Sequence, residues 1–213
     1  MRIEHQANPK PILVGIDFDN TLINYDGVFQ SLASKRGLVA CAEPLGKTAL
    51  RDRVRSLPDG EVEWQKLQAA VYGPLISQAS CFPGALEFIR RCFDLEWQVA
   101  IISHKTEWAA QDNGGVSLHR AALDWLAGNG FFAPGLLSPE QVFFEPTRAE
   151  KIDRIRRLDC QLFIDDLIET FAEDAFPAEV DKFLFNPHGI DGRRGDLQVC
   201  SSWEELTRLI CHV

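Results

Sequence analysis

Short apolar runs recur along the chain and alternate with stretches of mixed polarity. The runs are continuous rather than alternately apolar and polar, which is typical of strands buried on both faces of a parallel sheet. They predict strands at residues 12–16 (ILVGI), 99–102 (VAII), 142–144 (VFF), 161–164 (QLFI) and, with a weaker signal, 183–185 (FLF).

Helical periodicity occupies the intervals between these runs. Apolar side chains recur on one face of each segment and charged side chains on the other, as expected for helices that cover a sheet. The predicted helices lie at residues 84–95, 117–127, 150–158 and 203–210. Either Ser201 or Ser202 is suited to cap the last helix. Strands that alternate with helices predict an α/β fold with a mainly parallel sheet.

The segment from residue 24 to residue 82 departs from this alternation. It contains helical patterns at residues 28–36, 45–55 and 61–71 and no obvious strand. We interpret it as a helical insertion. On this interpretation, residues 1–23 together with 83–213 form the α/β core, and residues 24–82 form a smaller helical unit.

Two polar stretches are expected to be loops. Residues 106–116 (TEWAAQDNGGV) include Gly114 and Gly115, which break any helix. Residues 191–196 (DGRRGD) have the composition of a surface loop. Neither stretch is expected to contribute to the sheet.

The composition limits the class of function. The chain has 213 residues, of which 46% are hydrophobic and 25% charged, as is ordinary for a soluble globular protein. Its formal net charge of −9 argues against broad nucleic-acid binding, which depends on a basic surface. We therefore expect no nucleic-acid polymer as a partner. A small phosphorylated substrate remains compatible with an acidic protein.

Cysteine usage and the first residues indicate the cellular compartment. The six cysteines form no C-x-x-C pair and have no histidines at zinc-finger spacing. The first residues, MRIEHQANPKP, have no apolar core, and no apolar stretch reaches the roughly 18 residues of a membrane span. We expect a cytoplasmic protein with reduced thiols and no membrane segment.

Three of the predicted strands end in polar residues of catalytic type. Asp17 and Asp19 follow the first strand, Ser103 follows the second, and Asp165 and Asp166 follow the fourth. Ligands of open α/β sheets bind outside the carboxyl ends of the strands. If these strands are neighbours, the five side chains meet at one edge of the sheet.

These segments resemble the motifs of the haloacid dehalogenase superfamily. ILVGIDFDNTL resembles its first motif, an aspartate-x-aspartate-x-threonine after an apolar strand, and VAIISHK resembles the second. Lys151 resembles the lysine of the third motif, and QLFIDDL the paired acids of the fourth. The resemblance spans residues 12 to about 170 in the expected order. It implies a Rossmann-like parallel sheet flanked by helices, with residues 24–82 as a small helical cap.

The resemblance also implies roles for the first two aspartates. Asp17 would be the nucleophile that forms an aspartyl-phosphate, and Asp19 the general acid and base. Relatives that cleave carbon–halogen bonds use no acid at the second position, because a leaving halide needs no proton. Asp19 therefore favours phosphate-ester hydrolysis or phosphoryl transfer. Because a closing cap favours a small molecule, the leading prediction is a phosphatase that acts on a small phosphomonoester such as a sugar phosphate or a nucleotide.

A magnesium site is implied at the same place. Asp165 would be a direct ligand, and Asp166 either a second ligand or one that acts through water. The superfamily pattern adds Asp17 and the backbone carbonyl of Asp19. Carboxylate and carbonyl oxygens are the hard ligands that Mg²⁺ prefers.

The remaining motif residues are expected to bind the phosphoryl group. Ser103 would donate a hydrogen bond to a phosphoryl oxygen, and Lys151 would offset negative charge, although Lys105 competes for that role. Asn20 and Thr21 would shape the loop after the nucleophile, with backbone amides available to phosphate.

Three alternatives remain open at this stage. The chain is compatible with a phosphotransferase that uses the same residues, with an inactive phosphate-binding domain of the same fold, and with a phosphoprotein phosphatase. The helical insertion argues against the last, because an open site without a cap would favour a protein substrate. His104, Asn186 and His188 follow predicted strands and are further candidates for substrate contact. The substrate itself and the oligomeric state are not specified by these patterns.

Overall fold

The structure is a computed structural model that describes residues 11–40, 45–110, 115–189 and 192–212. It contains a central sheet flanked by helices on both faces. In chain order, the strands of the described residues are β1 (Leu13–Ile16), β2 (Ile23–Asn24), β3 (Ser80–Cys81), β4 (Gln98–His104), β5 (Val142–Glu145), β6 (Leu162–Asp165), β7 (Asp181–Phe185), β8 (Gly192–Arg194) and β9 (Leu197–Cys200).

The central sheet has seven strands in the order β5-β4-β1-β6-β7-β9-β8. All of its pairings are parallel except the one between β9 and the edge strand β8. Strand β1 lies between β4 and β6, so that Ile16 is in register with Ile101 and Ile164. The predicted α/β fold with a mainly parallel sheet is confirmed, and the carboxyl ends of these three strands are adjacent.

The helices predicted from periodicity are also present. They are α1 (Asp26–Lys35), α2 (Lys47–Arg55), α3 (Gly60–Tyr72), α4 (Ala85–Asp94), α5 (Leu118–Gly128), α6 (Arg148–Leu158), α7 (Ile168–Phe171) and α8 (Trp203–Ile210). Only the short α7 was not predicted. At the start of α8, the Ser202 hydroxyl accepts a hydrogen bond of 3.2 Å from the amide of Glu205, so Ser202 is the N-cap.

Strand β1 is buried on both faces, which explains its continuous apolar sequence. Val14 and Ile16 pack into the larger core cluster, and Leu13 packs into a second cluster on the other face. Gly15 lies against the ring of Phe163, and a Cβ atom at Gly15 would be only 2.5 Å from that ring. The close approach of β6 to β1 therefore requires a residue without a side chain at position 15.

The cap segment, residues 24–82, holds α1, α2 and α3. Within it, the indole of Trp64 stacks on the ring of Phe29 with 4.9 Å between centroids, so Trp64 packs inside the segment. Strands β2 and β3 pair antiparallel, with Ile23 opposite Cys81, where the segment leaves and rejoins the sheet. These two-residue strands are too short to leave a periodic signal. The division of the chain into core and cap stays a prediction.

The loop predicted at residues 191–196 is wrong for residues 192–194, whereas residues 195 and 196 form the expected turn. Residues 192–194 form β8, which pairs antiparallel with β9. All three residues of β8 are exposed, so the strand carries no apolar pattern. The pairing comes from β9, which extends the sheet beside β7. Asp191 lies outside the described residues.

The loop predicted at residues 106–116 is confirmed over the residues that the structure describes, 106–110 and 115–116, which form no helix or strand. Gly114 lies outside that part. Cys81, Cys92, Cys160 and Cys211 are free thiols, whereas Cys41 is outside the described residues. No helix of the described residues combines the length and the apolar composition of a membrane span.

Candidate active site

Asp17 directly follows β1 and is buried at the carboxyl edge of the sheet. Its backbone amide donates to the carbonyl of Ile164 at 2.9 Å, which continues the pairing of β1 with β6. Its Oδ1 accepts hydrogen bonds from the Ser103 hydroxyl at 3.0 Å and from the Lys151 ammonium at 2.6 Å. Among the described residues, its Oδ2 accepts only a long hydrogen bond of 3.4 Å from the hydroxyl of Thr21. The two oxygens of this carboxylate therefore have different surroundings.

Lys151 lies between two buried carboxylates. Its Nζ is 2.6 Å from Asp17 Oδ1 and 2.7 Å from Asp165 Oδ2, and its side chain is 2% exposed. Burial alone would lower the pKa of Lys151, but Asp165 and Asp17 outweigh that effect and raise it above its ordinary value. The ammonium is thus a permanent positive charge beside Asp17. It is held there because Thr147 caps α6 and places Lys151 on the first turn.

The surroundings of Asp17 destabilise its charged form. Burial is the largest cause, and the nearby Asp165 and Asp19 add to it, while Lys151 opposes them. The net result raises the pKa of Asp17 to about 6. A cation bound nearby would relieve this repulsion.

Asp19 has a separate set of partners. Its carboxylate accepts a hydrogen bond of 2.6 Å from the Tyr25 hydroxyl and forms an ion pair with Lys105 at 2.8 Å. Burial would raise the pKa of Asp19, but Lys105 and the Tyr25 hydrogen bond hold it below its ordinary value. The Lys105 side chain is 2% exposed and that of Asp19 is 20% exposed. Asp19 is therefore an ionised carboxylate at the edge of the site.

A cluster of three carboxylates has the composition of a metal site. Oxygen atoms of Asp17, Asp165 and Asp166 all lie within 4.8 Å of one another. Burial, together with Asp165 and Asp17, raises the pKa of Asp166 well above its ordinary value. Buried carboxylates that repel one another at such distances are suited to a hard divalent cation. The cluster does not include the side chain of Asp19, whose predicted contribution is its backbone carbonyl.

The loop after Asp17 differs in part from what the sequence suggested. Asn20 adopts a left-handed conformation with φ of 59°, which Asn tolerates better than most residues. Its backbone amide donates to the carbonyl of Ile23 at 3.0 Å, so that amide is engaged within the turn. The hydroxyl of the fully buried Thr21 points to Asp17. Phosphate contacts by these two residues stay predictions.

The other candidates for substrate contact lie outside this group of residues. His104 is exposed, and its ring forms a hydrogen bond with the carbonyl of Pro146 at 3.1 Å. His188 is also exposed and lies 3.4 Å from the carboxylate of Asp26 on the cap segment. The backbone amide of Asn186 donates to the carbonyl of Cys200 between β7 and β9.

The chain is similar to solved structures of other proteins, although its sequence matches neither a family model nor a curated protein. A protein from Burkholderia xenovorans LB400, described as a haloacid dehalogenase-like hydrolase, is 14% identical with a TM-score of 0.57, and the match covers 96% of this chain and 98% of that one. A HAD family hydrolase from Deinococcus radiodurans R1, with bound phosphate and sodium, is 16% identical with a TM-score of 0.55, over 95% and 96% of the two chains. The HAD-hydrolase YfnB from Bacillus subtilis, bound to magnesium, is 14% identical with a TM-score of 0.55, over 94% and 99%.

The chain has the haloacid dehalogenase-like fold. This confirms the fold that the sequence motifs implied. Dehalogenases are also among the similar structures, so the likeness by itself does not separate phosphate chemistry from halide chemistry. At these identities the likeness establishes the fold and leaves the reaction to the residues of the site.

Two features of the site within this haloacid dehalogenase-like fold escaped sequence analysis. The first is Tyr25, which the sequence places only at the start of the insertion, and whose contact with Asp19 depends on the turn between them. The second is Lys47, the first residue of α2, which interacts electrostatically with Asp166 and Asp19. Its position in a helical segment carried no signal in the sequence. The two motif lysines have different partners, because Lys151 binds Asp17 and Lys105 binds Asp19, and the assignment of Lys151 to phosphate stays a prediction.

Proposed function

We propose that this protein is a magnesium-dependent phosphatase that hydrolyses a small phosphomonoester through an aspartyl-phosphate on Asp17. The observation that supports the proposal is that the two aspartates at the end of β1 have different partners. Asp17 faces Lys151 and the carboxylate cluster, whereas Asp19 faces Tyr25 and Lys105. Such a division suits a nucleophile and a separate proton-transfer group.

The nucleophilic step follows from the contacts of Asp17. Lys151 and Ser103 both bind Oδ1, whereas Oδ2 accepts only the long hydrogen bond from Thr21. Oδ2 is therefore the oxygen that we expect to attack phosphorus. The new bond forms as the bond between phosphorus and the ester oxygen breaks. Lys151 and Ser103 hold the carboxylate in place during this displacement.

Asp19 would supply and then remove a proton. It donates a proton to the ester oxygen as the alcohol leaves. It then takes a proton from the water that attacks the phosphorylated Asp17, and that step releases inorganic phosphate and restores the carboxylate. The ion pair with Lys105 suits the second step, because it favours the ionised form. The first step therefore requires the substrate complex to weaken that ion pair.

The presence of Asp19 favours phosphate esters over halogenated acids. A leaving halide needs no proton, so a dehalogenase would have no use for a carboxylic acid at this position. Here the side chain is present and held by two specific partners. Dehalogenation remains the competing reaction because dehalogenases share the fold.

Asp17, Asp165 and Asp166 would hold magnesium, and the backbone carbonyl of Asp19 is the further proposed ligand. When bound, the ion would offset the negative charge of the phosphoryl oxygens. One structure of the same fold has magnesium bound and another has phosphate bound, which supports this choice of cation and of substrate group.

The proposed substrate is a small phosphorylated metabolite in the cytoplasm. The cap segment packs beside the carboxyl edge of the sheet and would limit access to small molecules. Transfer of the phosphoryl group to an acceptor other than water would use the same residues. An inactive binding domain is disfavoured because both aspartates and the metal cluster are intact.

The test is phosphate release from a panel of phosphorylated metabolites, with magnesium and with a chelator. We expect release with magnesium, little with chelator, and a loss of at least about 1,000-fold in Asp17→Asn. Asp174→Asn is the matched control, because Asp174 is an exposed aspartate away from the site. Mass spectrometry of acid-quenched protein should find one phosphoryl group on the peptide that contains Asp17.

Two results would overturn the proposal. The first is full phosphate release by Asp17→Asn, which would exclude this carboxylate as nucleophile. The second is halide release from 2-haloacids in the same panel without phosphate release from any ester. Phosphate transfer to an added alcohol, with little free phosphate, would instead identify the phosphotransferase.

A further inference from the structure

Lys47 carries a positive charge from the cap segment to the active site. It is the first residue of α2 and is partly buried. Its ammonium lies 5.6 Å from the centroid of the Tyr72 ring and 5.8 Å from that of Phe29. Tyr72 also helps to raise the pKa of Lys47 above its ordinary value. Two aromatic rings therefore border the ammonium and fix its position.

Tyr72 connects this lysine to the core side of the site. The ammonium of Lys105 lies 5.0 Å from the centroid of the Tyr72 ring, and Lys105 in turn pairs with Asp19 at 2.8 Å. The charge of Lys47 also interacts with the carboxylates of Asp166 and Asp19. Lys47 and Lys105 thus border the same ring, and Lys105 connects that ring to the proposed acid and base. Because Asp19 would protonate the leaving group, we expect the leaving group of a phosphomonoester to lie on this side of the site.

Lys47 differs from the other lysines of this region in its partners. In the described part of the chain it forms no ion pair with a carboxylate, whereas Lys105 pairs with Asp19 and Lys151 pairs with Asp17 and Asp165. Burial would lower the pKa of Lys47, but Tyr72, Asp166 and Asp19 raise it above its ordinary value, so it stays charged. These carboxylates stabilise the charge without a direct ion pair among the described residues, so the ammonium is available to bind an anionic group of a ligand.

We propose that Lys47, assisted by Tyr72, binds a second anionic group on the leaving-group part of the substrate. The inference rests on the proposed phosphatase function and narrows its substrate class. On the proposed function, the transferred phosphoryl group would face Lys151, Ser103 and the carboxylate cluster, and Lys105 is paired with Asp19. Lys47 is then left for the other end of the molecule. The substrate class is a phosphomonoester whose alcohol carries a carboxylate or a second phosphate, rather than a neutral sugar or nucleoside.

Two pairs of substrates test this selectivity because each pair differs mainly in one anionic group. One pair is 3-phosphoglycerate and glycerol 3-phosphate, which tests a carboxylate. The other is fructose 1,6-bisphosphate and fructose 6-phosphate, which tests a second phosphate. The wild type should have the higher kcat/KM for the more highly charged member of at least one pair, and the pair that shows it identifies the anionic group.

The variants are Lys47→Met, Lys47→Arg and, as matched control, Lys66→Met. Lys66 is an exposed lysine on α3 of the same segment and pairs with Glu63 at 2.7 Å. Lys47→Met should lower kcat/KM by about 10- to 100-fold for the more highly charged member of the pair, mainly through KM. For the less charged member, kcat/KM should stay within about 3-fold of the wild type. Lys47→Arg should retain most of the selectivity because it keeps the charge, and Lys66→Met should have no effect.

An equal loss on both members of each pair would overturn the inference, because Lys47 would then act on the transferred phosphoryl group or on the cap itself. Unchanged kinetics in Lys47→Met would also overturn it. Calorimetric titration of the same compounds into Asp17→Asn, with and without Lys47→Met, provides a readout that needs no turnover. If the wild type releases no phosphate but Lys47→Met still weakens binding of the charged compound by at least about 10-fold, the substrate inference stands and the phosphatase proposal fails. If binding is unaffected as well, both fail.

Discussion

The two sides of the candidate site differ in how their charges are balanced. On the core side, Lys151 is enclosed by Asp17 and Asp165 and forms an ion pair with each of them. On the cap side, Lys47 is bordered by aromatic rings and lacks a paired carboxylate among the described residues. The comparison teaches that Lys151 has its anionic partners within the protein, whereas Lys47 has the ammonium that we propose for an anionic group of the substrate. Catalytic groups benefit from the first arrangement and selectivity from the second.

The largest expected effect on stability comes from removing the positive charge of Lys151 on the core side. Lys151→Met leaves Asp17 and Asp165 buried together without their shared cation. We expect the free energy of unfolding to fall by about 3–5 kcal/mol at pH 7, measured by denaturant titration with chelator present. Added magnesium should recover part of that loss, because the same carboxylates form the candidate metal cluster.

The matched control for this variant is Lys182→Met. Lys182 pairs with the exposed Asp196 on the surface, so its removal should cost less than about 1 kcal/mol. Equal destabilisation by the two substitutions would contradict the view that Lys151 balances a buried pair.

An intermediate effect on stability is expected when a methyl group is added to a glycine of the core, in comparison with a glycine of the cap segment. In Gly15→Ala the new Cβ would lie 2.5 Å from the ring of the fully buried Phe163, so the strands must shift. We expect a loss of about 1–3 kcal/mol in the free energy of unfolding. In Gly27→Ala, on α1 of the cap segment, the new Cβ meets nothing within 4 Å. That change should be neutral or stabilising by up to about 1 kcal/mol.

Denaturant unfolding of both alanine variants checks this prediction. A stability close to wild type in Gly15→Ala would mean that β1 and β6 are not as closely packed as the structure has them. A loss in Gly27→Ala as large as in Gly15→Ala would mean that α1 is packed against a neighbour at that position.

The smallest expected effect is on the alkylation rate of Cys81, at the junction between the cap segment and the sheet. Cys81 lies on β3, where the cap segment rejoins the sheet, and burial together with Glu87 raises its pKa to about 11. At pH 8 the thiol is therefore almost entirely protonated. Because the thiolate is the reactive form, alkylation should be on the order of 100-fold slower than for an exposed cysteine, and it should accelerate about tenfold per pH unit up to that pKa.

Peptide mapping after timed exposure to iodoacetamide, in a Cys41→Ser background, measures this rate. Cys160 serves as the core reference, because burial raises its pKa to about 12 and it lies in the second core cluster. Rapid alkylation of Cys81 alone at pH 8 would indicate that the junction opens in solution, and would weaken the description of the cap segment as packed against the core.

The positions that could be predicted from the sequence are those of residues at the carboxyl ends of strands. Asp17, Ser103 and Asp165 each follow a continuous apolar run, and parallel pairing of β1 with β4 and β6 brings them together. Strand pairing of this kind is anticipated from the pattern, because parallel strands present their carboxyl ends on one edge. The edge hairpin of β8 and β9 was missed because β8 is exposed and has no apolar pattern.

The sequence alone determined the alternation of strands and helices, the helical character of residues 24–82, and the polar residues at the carboxyl ends of β1, β4 and β6. These features follow from local periodicity and from the resemblance of four short motifs. Tertiary structure decided which lysine meets which aspartate, that Tyr25 binds Asp19, and that Lys47 approaches from the cap segment. The reason is physical: a strand end points to one edge of a sheet whatever follows it, whereas the direction of a side chain on an inserted helix depends on how that helix packs.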